Sequence, residues 1–134
     1  MVRLLRAQGG TDGSGYGQHR SWALDMELQP PRRTSMFGQA VTLGRELLVV
    51  GAPGNLTEPS YVGVFRLWRD AEGALAAEEL CALTHGGPHA DPRFGFSVAQ
   101  QSRGSDTLVL VGAPGENAVY SYLVRAVAGT CEAL

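Results

Sequence analysis

Residues 46–53, Glu46-Leu47-Leu48-Val49-Val50-Gly51-Ala52-Pro53, return as residues 107–114, Thr107-Leu108-Val109-Leu110-Val111-Gly112-Ala113-Pro114. A Phe-Gly pair precedes each copy, Phe37-Gly38 and Phe94-Gly95. A block recurring every roughly 55–60 residues is one supersecondary unit used repeatedly. Each copy holds a short run of consecutive apolar residues closed by Gly-Ala-Pro. A strand with both faces apolar is covered on both sides, and proline stops it because it cannot donate to a ladder.

Working outward, further strands fall on either side. Residues 37–43 form a first strand that begins at the phenylalanine, Gly44-Arg45 a tight turn, and residues 62–68 a third strand. Residues 74–83 have high helix propensity, but the unit needs a fourth strand there, and tertiary context overrides propensity. The second unit repeats the order: residues 94–100, a longer turn over 101–106, residues 107–111, residues 118–124 and a truncated fourth strand over 127–134. Residues 22–28 alternate apolar and polar and read as a stray fourth strand of an earlier unit. The expected division is a flexible Gly-rich leader (1–20), the stray outer strand with its loop (21–35), a first unit (36–84) and an incomplete second unit (85–134).

The fold class that follows is all-β, two four-stranded antiparallel meanders behind a flexible leader. The strand buried on both faces needs neighbouring sheets, and radially stacked β-propeller blades supply them. A ring takes about 4–8 blades, so two blades and a strand are a partial β-propeller, expected as a fragment of a larger protein. The composition agrees: 44% hydrophobic residues suffice for a core, and 18 glycines suit a turn-rich β protein. A net charge of −2 gives no basic surface for nucleic acid. No apolar run is long enough to span a bilayer, and no signal peptide is visible.

Phe37-Gly38 to Gly51-Ala52-Pro53 and Phe94-Gly95 to Gly112-Ala113-Pro114, each followed by a matching third strand, resemble FG-GAP repeats of the integrin alpha N-terminal β-propeller. The resemblance covers residues 22–134. It implies a non-catalytic binding or cell-adhesion scaffold, placed extracellularly or at the cell surface. The alternatives are an accessory propeller portion of a secreted phospholipase D-like enzyme, or a non-functional gene-model fragment. The ten motif residues are read as structural: the phenylalanines wedge between blades, and the glycines allow close backbone approach. The calcium loop that such repeats often carry between strands one and two is missing here. Gly44-Arg45-Glu46 and residues 102–106 offer too few carboxylates for an ion that takes about 6–8 oxygens. No metal and no cofactor are expected.

Other candidates are sparse. His85, His89 and Asp91 lie in a Gly-Pro loop that does not fix ligand geometry, and a solvated loop is the better reading than zinc. No nucleophile motif or paired carboxylates suggest an enzyme. Asn55-Leu56-Thr57 is an N-glycosylation sequon. In a meander the 2–3 and 4–1 loops share one face, so Tyr61, His85, His89 and Asn117 are the expected binding face for a protein or glycan ligand. Unpaired blade faces are expected to favour self-association. Cys81 and Cys131 fall at similar places in successive fourth strands, where blades splay apart, which argues against a bridge.

Overall fold

The computed structural model describes residues 1–11, 18–34, 36–85 and 92–134. These residues form an all-β architecture of three antiparallel sheets. A hairpin pairs β1 (Val2–Thr11) with β2 (Gln18–Leu28). The first four-stranded sheet has the order β3 (Ala40–Leu43), β4 (Leu47–Ala52), β5 (Tyr61–Arg69), β6 (Leu75–Leu83). The second repeats it with β7 (Ser97–Arg103), β8 (Asp106–Ala113), β9 (Ala118–Arg125) and β10 (Thr130–Ala133).

Both meanders are present, and residues 75–83 form a strand despite their helix propensity, because β6 pairs along its length with β5. Several details differ from the sequence reading. Val2–Thr11 is a strand, so much of the expected flexible leader is structured. Val2 and Leu4 alternate with outward residues and pack on the first sheet, a pattern hidden by the glycines after Gln8. The stray strand is therefore half of a pair. First strands begin three residues after the phenylalanines, which sit in turns instead, with Gln39 N–H donating to Met36 O (2.9 Å) and Phe96 N–H to Arg93 O (3.1 Å). The turn expected over 101–106 tightens to Gly104-Ser105, because Arg103 already pairs with Asp106.

The hairpin reproduces the last two strands of the first sheet. Val2 pairs with Leu28 and Leu4 with Met26, and the register then slips between Leu4 and Leu5. Val62 pairs with Leu83 and Val64 with Cys81, and the register slips between Val64 and Phe65. The packing matches the register. A Cβ added to Gly38 would meet the Val2 Cγ2 at 3.0 Å, and one added to Gly95 would meet the Val62 Cγ2 at 2.8 Å. Val2 is thus to the first sheet what Val62 is to the second.

Two cores result, one in each space between sheets. Val2, Leu48, Val50 and Phe65 fill the space between the hairpin and the first sheet. Leu47, Val49, Val62, Val64, Phe94 and Val111 fill the space between the two four-stranded sheets. β4 contributes to both, which is why all six of its residues are buried.

The seams also carry polar and covalent ties. Arg69 donates to both carboxylate oxygens of Asp25 at 2.7 and 3.2 Å, and this holds the Asp25 carboxyl below its usual range. Gln100 Nε2 donates to Thr42 O and Leu47 O at 3.0 and 3.1 Å across the second seam. Cys81 and Cys131 are joined by a disulfide, contrary to the expectation that fourth strands splay too far apart. The slip after Val64 inserts Leu80 as an extra residue and bends β6. Cys81 then meets Cys131 with Cα atoms 6.3 Å apart. Closing a loop with a sequence separation of 50 stabilises by about 4 kcal/mol in the chain-entropy picture.

Gly51 is the tightest point of the second seam: a Cβ there would run into the Gly95 carbonyl oxygen. Gly112 holds the same register position in the second sheet, yet its added Cβ would meet only the Ser97 hydroxyl, which can rotate away. Gly51→Ala should therefore cost about 2 kcal/mol or more and Gly112→Ala less than about 1 kcal/mol, read as midpoints of urea unfolding. Equal losses would show that the glycine serves the strand and not the seam.

Candidate functional site

Each motif phenylalanine floors a small polar cluster. Phe37 stacks on Tyr61 with ring centroids 6.3 Å apart, and the Tyr61 hydroxyl donates to Glu79. The Arg32 guanidinium lies 4.6 Å above the Tyr61 ring and pairs with Glu79 at 2.9 Å. In the second sheet Phe94 meets Tyr120 edge-on at 5.6 Å, and the Tyr120 hydroxyl donates to Glu116 at 2.6 Å. His85 Nε2 lies 2.6 Å from the same Glu116 oxygen and 3.3 Å from the Tyr120 hydroxyl. Both clusters are built from a phenylalanine, a tyrosine, a glutamate and a nitrogen base from the loop before the Phe-Gly turn.

The tyrosines come from different register positions. Gly51 pairs with Val62 and Gly112 with Val119, so Tyr120 stands at the position of Gly63. Tyr61 lies across Gly63 from two residues away, and a Cβ on Gly63 would run into the Tyr61 hydroxyl and the Phe65 ring.

These contacts revise the expected binding face. Tyr61 is buried, and the side chains of His85 and Glu116 are 5% and 6% exposed. Tyr61 and His85 pin loops and offer no surface to a ligand. Asn117 is exposed, in left-handed backbone (φ 54°) that closes the turn Pro114–Glu116. His89 lies outside the described residues, as does Asp91, the third member of the loop group. Among the described residues no three His, Cys, Asp or Glu side chains gather as metal ligands would.

The loops do share one end of the molecule. Thr34 donates to Pro59 O (3.2 Å), Arg33 pairs with Glu58 (3.3 Å), and Gly115 N–H donates to Pro92 O (3.0 Å). Between them opens a cleft of about 310 Å³ lined by Met36, Pro53, Gly54, Asn55, Leu56, Arg93 and Phe96. Leu56 is 82% exposed, and Met36 and Phe96 are also open to solvent. Met36 and Arg93, at equivalent positions before the two Phe-Gly pairs, both have positive φ (60° and 51°). Such backbone is unfavourable for ordinary side chains and collects at functional sites. Larger clefts of about 350 and 410 Å³ lie toward the short turns at the other end. The second of these follows the Asp25–Arg69 seam, whose charges already satisfy one another.

Asn55 shapes the cleft rim. Its Oδ1 accepts from Thr57 N–H, Thr57 Oγ1 and Glu58 N–H at 2.8, 2.8 and 2.9 Å. The sequon is thus an exposed turn held through the side-chain oxygen. Sequence reasoning found the sequon and missed Met36, Leu56, Arg93 and Phe96 as cleft residues. An apolar Leu56 inside a polar loop was the signal available.

Comparison of the chain with family models, with curated proteins and with solved structures returns no match.

Two outcomes test the site. The carboxylate beside Tyr120 and the burial of Tyr61 push both phenols above the ordinary tyrosine range. A raised acid favours the folded state below the unfolded value and loses that advantage as pH rises through the folded one. Stability should hold up to pH about 10 and fall above it, with tyrosinate absorbance developing alongside unfolding. Glu116→Gln should let one phenol ionise earlier; an unchanged titration would contradict the cluster. In a eukaryotic secretory host the chain should carry a glycan removable by peptide-N-glycosidase, lost equally in Asn55→Gln and Thr57→Ala; an unglycosylated secreted product would refute the site.

Proposed function

We propose that this chain is a segment of an FG-GAP, integrin-alpha-like β-propeller, acting without catalysis as an extracellular scaffold that binds a protein or glycan ligand at its loop end. The hairpin supplies the last two strands of one blade and the two sheets supply two more blades. The observation that carries it is the shared register: the same slip after the same pair in β1–β2 and β5–β6, with a Phe-Gly turn seated against the equivalent valine each time. The Cys81–Cys131 disulfide favours an oxidising compartment. The exposed sequon suits the same setting.

The cleft is a ligand-sized feature of the loop end, formed by described residues. Met36, Leu56 and Phe96 present exposed apolar side chains to it, beside the exposed Asn55 and Arg93, and Met36 and Arg93 hold backbone that costs energy to maintain. It suits an apolar side chain projecting from a ligand segment.

The test is selection of a random-peptide phage library on the wild-type chain, with counter-selection on the Met36→Ser/Leu56→Ser/Phe96→Ser variant. All three positions are exposed, so the variant should keep the wild-type thermal transition. Enriched peptides should share an apolar residue and bind the variant at least tenfold more weakly. Failure to enrich, or equal binding to the variant, would remove the cleft from the proposal.

A further inference from the structure

Packing in this chain has a direction. Each sheet has a forward face that receives the next sheet and a back face that seats on the one before. The forward face of the hairpin (Val2, Leu4, Leu28) covers the back face of the first sheet (Leu48, Val50, Phe65). The forward face of the first sheet (Leu47, Val49, Val62, Val64) is covered by the back face of the second (Phe94, Val109, Val111). Among the described residues, one forward face and one back face have no sheet packed on them.

The leftover forward face belongs to the second sheet. Leu110 and Val119 hold the positions of Val49 and Val62. The earlier pair is fully buried, whereas Leu110 is 38% and Val119 69% exposed. Gly112 stands beside them at the position where Gly51 accepts a neighbouring backbone, and a small hollow lies beside Leu110, lined also by Ala99, Gln101 and Leu108. This face carries no charged side chain at its centre.

The leftover back face belongs to the hairpin. Leu5 pairs with Leu24 just past the register slip, where Phe65 pairs with Glu79 in the first sheet. Phe65 is buried, whereas Leu5, Leu24 and Trp22 are all more than half exposed. Trp22 lies two residues along the strand from Leu24 and so shares its side of the sheet. Beside them Arg3 and Glu27 neutralise one another at 3.0 Å.

The geometry points to head-to-tail association between copies of this chain, in which the forward face of one second sheet (Leu110, Gly112, Val119) takes the back face of another copy's hairpin (Leu5, Leu24, Trp22). The occupant is a second copy because the contact continues the forward-to-back rule of both internal seams, and because one chain carries both halves. Exposed apolar patches of this kind on a folded chain mark association surfaces. The contact is heterologous, so it closes a ring when the rotation between sheets permits and otherwise propagates. It depends on the packing faces alone, so the ligand cleft could fail its own test while association stands.

The experiment uses the oxidised full chain in size-exclusion chromatography with light scattering over a range of concentrations. The wild type should exceed the monomer mass of 14.2 kDa. Leu110→Lys/Val119→Lys blocks the forward face and Leu5→Lys/Trp22→Lys the back face; each variant alone should be a monomer. Mixed in equal amounts, they retain one intact face each and should give a dimer of twice the monomer mass. Retained thermal transitions show that both variants fold. Should a lysine pair unfold the chain, Leu110→Thr/Val119→Thr and Leu5→Thr/Leu24→Thr read the same faces as an association weakened tenfold or more. A wild type monomeric at all concentrations overturns the proposal. So does a variant that associates like wild type, which would indicate pairing through another surface such as the β1 edge, and so does a mixture that stays monomeric.

Discussion

The structure depends on one place where two backbones nearly touch. Gly51 ends the doubly buried strand β4, and the Gly95 carbonyl of the following turn occupies the space where any Cβ at Gly51 would project. That approach sets how closely the two sheets pack, and the packing lets Val49, Val62, Phe94 and Val111 exclude water from the seam. Gly95 has φ 89°, and its N–H donates to Gly112 O at 3.0 Å; Gly38 repeats this with φ 96° and a bond to Gly51 O at 3.1 Å. The Phe-Gly pair and the Gly-Ala-Pro pair are therefore two ends of one contact. A glycine in left-handed backbone is bonded to its own sheet's second strand in both units, and in the second unit its carbonyl also presses on the sheet behind.

The polar clusters follow from that wedge. A phenylalanine driven between sheets leaves its upper edge beneath the loops, where backbone and side-chain polar groups must find partners. Both units meet the need with a tyrosine hydroxyl on a glutamate and a base from the preceding loop, yet no residue besides the phenylalanine is shared by position. Arg32 sits five residues before its Phe-Gly pair and His85 nine; Glu79 comes from β6 and Glu116 from the turn after β8. The arrangement is conserved by space and charge while the sequence positions drift.

That drift sets what could be read from the chain. The meanders were legible because consecutive apolar residues closed by Gly-Ala-Pro carry a local signal, and residues 75–83 could be assigned as strand from the unit's count of strands. β1 was hidden because its pattern runs into the glycines before residue 12. Tyr61 looked like a loop residue because it follows Pro59-Ser60, and nothing local shows that Gly63 opens a space for its ring. The His85–Glu116 contact joins residues 31 apart that meet only through the fold, at the Tyr120 hydroxyl beside Phe94. The disulfide runs against the splaying of fourth strands because of a one-residue slip in β6, which places Cys81 opposite Val64 and leaves no mark in the sequence.

The two seams use different ties for the same geometric task. At the hairpin seam the extra residue of the slip is Asp25, and it reaches forward to Arg69; at the second seam the extra residue is Leu80, which packs into the core, while its neighbour Cys81 bonds to Cys131. An exposed ion pair of this kind contributes little and weakens with salt, whereas the covalent tie does neither. The hairpin is thus held mainly by Val2, Leu4 and Leu28, and the second sheet by a core, a glycine contact and a disulfide together. Opening of the molecule should begin at the hairpin. Its outer face is the one that presents Leu5, Leu24 and Trp22, so covering that face would brace the seam with the fewest ties of its own.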